Sequence, residues 1–504
     1  MRQLGSDDSS SLTVQLALPP PTPERGYNVP YRTIHWLNDD ILLGIFNCYR
    51  LDNQRDWNRE LLWCKLSHVC QKWRHLIHES AFHLGMHIEC TNSCPIILDR
   101  LHHLPPLPLF ISYLDGIYSP RFVHEQYDLI ICHPLRLHGR VCHIDLTLYP
   151  SEMDEVVKLM DEHFPILKHL SLSYPYPNKP VRTLPNFPKG FLAPSLRHLS
   201  LPNISPPRRL RFLTSTVSLV TLSLCLIQTS NYVRPRLLVA RLGSLPLLEH
   251  LFIGFSIPIP RPSTERELLG EQRAPVTLPS LKLLRFKGSG AYLESLVAQI
   301  RVPLLEKLFI GLFNQIAFVL PHLFYLINIT EVFKLSSARV SFHYKEVRVS
   351  MLADRSGPKP FYIRVKCKPL DWQIDCATQI CHGLIPTLSG VEELTLALDS
   401  YQKIPTEMQN GAIDSTTWHD LLRSFVGVKE LYIYDVLLEE LSRALHADEV
   451  GSDPGFLPNL RSIHAKDNRF TSFIDTRQGV GRPVEFLREV VDRQTGKAST
   501  VFAD

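Results

Sequence analysis

The sequence predicts an α/β protein in which a small helical module precedes a long array of stacked units, each made of a strand and a helix. Three observations favour this class. Residues 30–90 place apolar side chains at helical spacing. From about residue 138 onward, a short motif recurs in which a proline precedes leucines at strand spacing. Residues 338–368 alternate apolar and polar side chains, which is typical of antiparallel strands.

The overall composition is that of a globular protein without a strong charge bias. Apolar residues make up 44% of the 504 residues and charged residues 21%, so a large core can form and general disorder is excluded. The 54 basic and 50 acidic side chains give a net charge of +4. This balance predicts neither a nucleic-acid partner nor an anionic membrane partner.

The cysteines and the N-terminal residues favour a reducing compartment, either the cytoplasm or the nucleus. The eleven cysteines are irregularly spaced, and an odd set in a long chain argues against a disulfide framework. Residues 1–25 lack the apolar stretch of a secretory signal, and the Ser- and Pro-rich residues 1–29 are expected to form a disordered tail. The uncharged stretch Leu308–Thr330 could span a bilayer by length, but Pro321 interrupts it, so we expect no membrane segment.

The repeated motif has the form Pro-x-Leu-x-x-Leu-x-Leu. Clear copies begin at Pro165, Pro194, Pro246, Pro279 and Pro303. The last two apolar residues of each copy are two positions apart, which places both side chains on one face of a strand. Segments between the copies, such as Glu152–His163 and Tyr292–Arg301, have helical spacing. Because one strand and one helix cannot bury their apolar faces alone, the copies are expected to stack.

Units of strand, turn, helix and turn, repeated at this interval, resemble leucine-rich repeats. The resemblance implies an irregular leucine-rich-repeat solenoid over residues 138–470, with residues 338–368 as an antiparallel insertion that continues the sheet. The family places Asn or Cys three positions after the last strand leucine, where this chain has Pro175, Ile204 and Ile227. The resemblance therefore does not extend to the hydrogen bonds by which that residue ties adjacent turns.

Two segments flank the predicted solenoid. Residues 91–137 are expected to connect it to the helical module through a helix at Cys94–Leu104 and a strand at Leu109–Tyr113. Residues 471–504 become polar and are expected to form a C-terminal tail.

The helical module contains two apolar stripes. Asn38 is a good N-cap for a first helix, and Asp39 and Asp40 favour the positive end of its dipole. The apolar residues of this helix are Ile41, Leu42, Ile45 and Phe46. A second helix is predicted to begin near Glu60, and its stripe consists of Leu62, Leu66, Val69 and Trp73.

The ordered set of these residues resembles the F-box-like module, particularly the version found in large fungal families. The matching positions are Leu37, Asp40, Ile41, Leu42, Ile45 and Phe46, followed by Val69-Cys-Gln-Lys-Trp73. Asn38 stands in place of the usual Pro, and Phe82-His83 in place of Leu-Trp. The resemblance covers about 50 of the 504 residues and implies a three-helix module that docks a Skp-type adaptor and, through it, a cullin.

The residues predicted to contact the adaptor are Leu37, Ile41, Leu42, Ile45, Phe46, Leu66, Val69 and Trp73. Among them, Leu37, Ile41 and Leu42 are expected to make the main contacts, and Ile45 and Phe46 to pack inward. The same apolar residues could instead form the core of a helical cap on the repeat array, because repeat proteins need terminal caps.

The predicted function is the substrate-recognition subunit of a Skp–cullin–F-box type ubiquitin ligase, in which the repeats bind an unknown protein substrate. The alternatives are a non-degradative adaptor-binding scaffold and an extracellular or membrane leucine-rich-repeat recognition protein. The sequence contains no dinucleotide, phosphate-loop or nucleophile-elbow motif. Its Cys and His pairs lack zinc-site spacing, and repeat residues His169, His198 and His250 are expected on the outer face. No catalytic residue, cofactor or metal is therefore predicted.

Overall fold

The computed structural model shows a mixed α/β protein with a large sheet. The described residues are 37–52, 62–80, 87–90, 107–114, 128–175, 182–183, 189–202, 204–207, 210–227, 232–256, 274–313, 318–353, 359–398, 415–434, 437–445, 456–491 and 498–502. The expected tail at 1–29 and the expected helix at Cys94–Leu104 lie outside these ranges. The chain divides into two units, the helical unit Met1–Leu84 and the strand array Gly85–Asp504.

Thirteen α-helices lie in the described residues. They are α1 (Asp39–Asp52), α2 (Leu62–Ser67), α3 (Gln71–Glu79), α4 (His133–Arg136), α5 (Pro150–Leu159), α6 (Pro235–Leu242), α7 (Gly290–Val297), α8 (Pro321–Ile329), α9 (Leu370–Gly383), α10 (Ile385–Leu388), α11 (Ser415–Arg423), α12 (Leu438–Leu445) and α13 (Thr471–Gly479). Shorter 3-10 turns occur at His138–Arg140, Arg211–Ser215 and Glu331–Phe333, and a π-helical turn at Asp128–Cys132.

Seventeen strands form one sheet. In chain order they are β1 (Ile88–Cys90), β2 (Leu109–Leu114), β3 (Val141–Thr147), β4 (His169–Ser173), β6 (His198–Leu201), β8 (Thr221–Ile227), β9 (His250–Phe255), β11 (Leu283–Gly288), β13 (Lys307–Leu312), β14 (Ser337–His343), β15 (Glu346–Leu352), β16 (Phe361–Lys366), β17 (Glu393–Leu398), β18 (Glu430–Ile433), β19 (Ser462–Ala465), β20 (Glu485–Val491) and β21 (Ala498–Phe502). The short pairs β5 (Arg182–Thr183) with β7 (Ile204–Ser205), and β10 (Val276–Thr277) with β12 (Ile300–Arg301), stand apart from this sheet.

The strands of the repeated motif lie side by side and parallel, as predicted. Leu170 pairs with Leu199, Leu199 with Leu222, and Leu222 with Leu251, so equal motif positions stand in register. These leucines are buried, which explains the register, because a shift by one residue would turn every leucine to the opposite face. The sheet also includes β1 and β2, so it begins before the predicted boundary at residue 138, and Ile88–Cys90 belongs to the array rather than to the helical unit.

Backbone hydrogen bonds tie each unit to the next just ahead of the strands. The Lys168 carbonyl accepts from the backbone N–H groups of Arg197 and His198, both at 2.9 Å. The Arg197 carbonyl in turn accepts from Val220 and Thr221 at 2.8 and 2.9 Å. The same arrangement, in which one carbonyl accepts from two successive N–H groups, recurs along the array. Stacking of adjacent turns therefore gives their backbone N–H and C=O groups hydrogen-bond partners.

The side chain directly after the repeat proline forms a further hydrogen bond between adjacent copies. Ser or Asn in this position donates to a backbone carbonyl of the preceding copy. The bonds are Ser195 Oγ to Pro165 O at 2.6 Å, Ser280 Oγ to Pro246 O at 2.8 Å, and Asn459 Nδ2 to Val426 O at 2.9 Å. These bonds join adjacent turns from a different motif position than the Asn or Cys that the chain lacks.

The predicted antiparallel insertion is present, and it enters the sheet in reverse order. Strand β14 pairs antiparallel with β15, and β15 antiparallel with β16. The last of the three, β16, lies against β13, whereas β14 lies against β17. The insertion therefore adds three strands to the sheet. The two pairings that join it to the rest of the sheet, β13 with β16 and β14 with β17, are both parallel. Residues 354–358, which connect β15 to β16, lie outside the described residues.

The C-terminal region differs from the polar tail predicted for residues 471–504. Helix α13 is followed by β20, which pairs parallel with β19, and β21 pairs antiparallel with β20. The helix is anchored by Arg477, whose buried Nη1 and Nη2 donate to the carbonyls of Phe456 and Leu457, both at 3.0 Å. The pattern missed this unit because an arginine occupies a position that leucine fills elsewhere.

The uncharged stretch Leu308–Thr330 contains most of strand β13 and the nine-residue helix α8. Within the described residues, no helix has both the length and the apolar character needed to cross a membrane.

Candidate functional site

The core of the helical unit forms where α1 meets α3. Leu42 and Phe46 stand one turn apart on α1, and both are almost completely buried. The Phe46 ring meets the Trp73 ring edge-on, with centroids 4.8 Å apart. Leu76 and Ile77 of α3 are also buried. This small aromatic and aliphatic cluster orients the two helices against each other.

The start of α1 is fixed by a cap and by one lysine. Asn38 Oδ1 accepts from the Ile41 backbone N–H at 2.8 Å, as predicted for an N-cap. Lys72 Nζ on α3 donates to the Leu37 carbonyl at 3.0 Å and lies 3.1 Å from a carboxylate oxygen of Asp39. Both ionic partners are well exposed, so their pair contributes little stability and mainly sets the position of the helix end.

A second apolar set of the helical unit faces outward. The exposed fractions are 50% for Ile41, 42% for Ile45 and 57% for Val69. Ile41 and Ile45 are four residues apart, so they share a face of α1 that differs from the face of Leu42 and Phe46. We call Ile41, Ile45 and Val69 the exposed apolar set.

The predicted adaptor-binding residues therefore divide into two groups. Leu42, Phe46 and Trp73 form the core, the exposed apolar set faces outward, and Leu37 and Leu66 are half-buried. The expectation that Ile45 packs inward is wrong, because the helical turn places Leu42 and Phe46 on the inner face. The grouping of Leu42 with the outer contacts is wrong for the same reason.

The prediction of one second helix, beginning near Glu60 and carrying the stripe from Leu62 to Trp73, is also wrong. Two helices, α2 and α3, meet at a turn that contains Val69. Cys70 interrupts the helix with an extended backbone, and its Sγ accepts from the Trp73 N–H at 3.5 Å as an N-cap. The break moves Val69 off the buried stripe and accounts for its exposure.

In the strand array, the face opposite the buried leucines presents a column of rings. His169, His198 and His250 lie on this outer face, as predicted. The column begins with His87 stacked on Phe110 at 3.7 Å and continues through His143. The His143 ring stacks on the His169 ring with centroids 4.2 Å apart, and the His169 and His198 centroids are 5.8 Å apart.

Burial lowers the pKa of three imidazoles in this column. Burial lowers the pKa of His143 to about 4, and the neighbouring His169 ring adds to the effect. Burial is also the main cause that lowers the pKa of His169 and of His198. At neutral pH the imidazoles of His143, His169 and His198 are therefore uncharged. The positions of His143, His87 and Phe110 in it are not visible in the sequence, because only the strand register brings them together.

The described side chains do not form a metal-binding cluster of three His, Cys, Asp or Glu residues. None of the nine cysteines whose side chains are described forms a disulfide. No known protein-family model matches the chain, and no curated protein matches its sequence.

Proposed function

We propose that this chain is the substrate-recognition subunit of a Skp–cullin–F-box type ubiquitin ligase in the cytoplasm or nucleus. The helical unit is an F-box-like module that docks a Skp-type adaptor. The strand array is an irregular leucine-rich-repeat solenoid that holds a protein substrate. The observation that supports this function best is the exposed apolar set beside a separately formed core, at positions that match the F-box-like pattern.

The energetics favour docking through this set. Full burial of an aliphatic side chain contributes about 1.5–3 kcal/mol, so covering three half-exposed residues yields roughly half of that for each. Within the helical unit these three residues are exposed, whereas Leu42 and Phe46 are buried.

The strand array supports the recognition role through its extent. Seventeen strands present their outer side chains in ordered columns, and a long surface of this kind fits a protein ligand better than a small molecule. Such a receptor catalyses nothing itself. It raises the concentration of its substrate beside the ubiquitin-carrying partner.

Affinity purification followed by mass spectrometry tests the proposal. The full chain should recover a Skp-type adaptor and a cullin, and the variant Ile41→Asp/Ile45→Asp should lose both. The control Leu247→Asp/Leu304→Asp changes two exposed leucines of the array and should retain both partners. Recovery of neither partner by the unaltered chain would contradict the proposal. Recovery of the adaptor without any effect on the stability of co-purifying proteins would favour the scaffold alternative.

A further inference from the structure

The middle of the sheet carries a cluster of cations that the balanced composition of the chain conceals. The six adjacent strands from β9 to β14, in the order β9, β11, β13, β16, β15 and β14, contain a single acidic residue, Glu346. Their basic residues are Arg285, Lys287, Lys307, Arg339, Arg348, Arg364 and Lys366. We call the outer side of these strands the basic face.

Strand register brings the cations into one row across the sheet. Lys287 pairs with Gly311, Gly311 with Arg364, and Arg364 with Arg348, so the row spans four neighbouring strands, three of which contribute a cation. Gly311 leaves space for the guanidinium, because a Cβ at this position would lie 3.0 Å from Arg364 Nε. Strands are about 4.8 Å apart, so the row extends over roughly 15 Å.

The one carboxylate does not neutralise this row. Glu346 Oε1 lies 3.1 Å from Arg348 Nη2 and 3.8 Å from Arg364 Nη1, so a single acid is shared between two guanidinium groups. Burial lowers the pKa of Lys287, and the positive charges of Lys366 and Arg364 lower it further. A cation whose neighbours are cations gains most from an added anion.

An aromatic row lies beside the basic row. Phe309 stacks on Tyr362 with centroids 4.9 Å apart. Arg285 lies between the rings of Phe252 and Phe309, at 5.2 and 5.3 Å from their centroids, and Arg348 lies 5.3 Å from that of Tyr362. Stacking on rings restrains these guanidinium groups, which lowers the entropy lost when they bind an anion.

We infer that the basic face docks an extended, acidic segment of a protein substrate, with carboxylates over the row of Lys287, Arg364 and Arg348. This inference rests on the proposed receptor function, since it names the class of substrate that the array holds. The aromatic row argues for a peptide rather than a single-stranded nucleic acid. Bases bind by stacking on free ring faces, whereas Phe309 and Tyr362 already face each other and flanking guanidinium groups.

Fluorescence anisotropy on the purified full chain tests the inference. The probe is a labelled twelve-residue peptide of alternating Glu and Gly, and the reference peptide has Gln in place of Glu. We expect saturable binding of the Glu peptide that weakens with added salt, and at least about tenfold weaker binding of the Gln peptide.

Three variants locate the binding. Lys287→Gln/Arg364→Gln should weaken binding of the Glu peptide at least tenfold, whereas Lys158→Gln/Lys189→Gln, which removes the same charge from exposed positions elsewhere, should change it less than twofold. Glu346→Gln should strengthen binding severalfold, because it frees both of its guanidinium partners. This gain cannot arise from misfolding.

Equal binding of the Glu and Gln peptides, or equal losses in the two double variants, would overturn the inference. Tighter binding of a twelve-nucleotide oligouridylate, with the same dependence on Lys287 and Arg364, would overturn it in favour of nucleic acid. Adaptor binding is measured on the same preparation. Adaptor binding without peptide binding would refute only the acidic substrate, and peptide binding without adaptor binding would refute only the ligase function.

Discussion

The helical unit and the strand array place their apolar side chains differently. In the array, strand leucines such as Leu251 and Leu308 are buried, and the exposed apolar side chains lie in turns, as at Leu304, or on helices, as at Tyr325 and Ile329 of α8. In the helical unit, α1 buries Leu42 and Phe46 but exposes Ile41 and Ile45 on another face. Single exposed apolar residues are normal, whereas a grouped set beside a complete core marks an interaction surface. We therefore propose docking at the exposed face of α1 in the helical unit, whereas the buried strand leucines hold the array together.

The largest stability effect is expected inside the array. Leu308 is fully buried and pairs with Leu284 on one side and Phe361 on the other. Leu308→Ala should lower the free energy of unfolding by about 2–5 kcal/mol, because it removes apolar contacts and leaves a cavity. Leu304→Ala, at a position that is 54% exposed, should change it by less than about 0.5 kcal/mol. Urea unfolding measures both, and similar losses would contradict the assignment of inner and outer positions.

Within α1, too, truncation of a buried residue should lower the free energy of unfolding more than truncation of an exposed one. Leu42→Ala should destabilise the helical unit by about 2–5 kcal/mol, whereas Ile41→Ala should cost about 0.5 kcal/mol or less. Hydrogen exchange of Asp39–Asp52, followed by mass spectrometry, reports local opening of this helix. If Ile41→Ala accelerates exchange as much as Leu42→Ala does, the exposed apolar set belongs to a core, and the cap alternative is favoured.

Loss of the Glu294 carboxylate in the array should lower the free energy of unfolding more than loss of the Asn38 cap of α1. Glu294 accepts from the backbone N–H groups of His322 and Leu323 at 2.7 and 3.2 Å, and so caps a helix of the next unit. Glu294→Ala should cost about 2–3 kcal/mol, because two helix N–H groups lose a charged acceptor at a buried site. Asn38→Ala, which removes an exposed cap, should cost about 1 kcal/mol. Thermal or urea unfolding of the two variants compares them, and the reverse order would contradict the role given to Glu294.

The smallest expected effect is a loss of folding stability at acidic pH, linked to His143. The folded pKa of His143 is about 4, whereas its ordinary value is 6.5, so the unfolded chain takes up the proton first as the pH falls. The stability linked to this ring is present above pH 6.5 and is lost as the pH falls toward 4. Uptake of one proton limits the loss to about 1.4 kcal/mol per pH unit, and the partial exposure of the ring keeps the loss below this limit. His143→Gln should make the urea midpoint less sensitive to pH between 7 and 4.5, and an unchanged slope would contradict the prediction.

Much of the strand array could be predicted from sequence because its leucines recur at fixed spacing. The parallel pairing of Leu170 with Leu199 and the presence of an insertion follow from spacing and alternation alone. The order of β14, β15 and β16 could not be predicted, because both the reversed and the direct order satisfy the same alternation. The break at Cys70 was missed because Leu66, Val69 and Trp73 fit one helical stripe, and only the extended backbone at Cys70 interrupts it.

The surfaces were harder to predict than the core. The row of Lys287, Arg364 and Arg348 joins residues that are far apart in sequence, and the reversed insertion determines which of them become neighbours. The imidazole column depends on register in the same way. A sequence pattern identifies which residues face outward, but the neighbours of each outward side chain emerge only when the strands are assembled.

Binding of a purified Skp-type adaptor, measured by isothermal titration calorimetry, tests the central claim most directly. Ile41→Ala/Ile45→Ala/Val69→Ala should weaken binding at least about a hundredfold, since three truncated anchors at about 1–2 kcal/mol each exceed two decades in affinity. The control Val217→Ala/Leu247→Ala/Leu304→Ala truncates three exposed apolar residues of the array and should bind within about twofold of the unaltered chain. Circular dichroism should show both variants folded. Undiminished binding by the folded first variant would contradict the claim that the exposed apolar set is the docking surface.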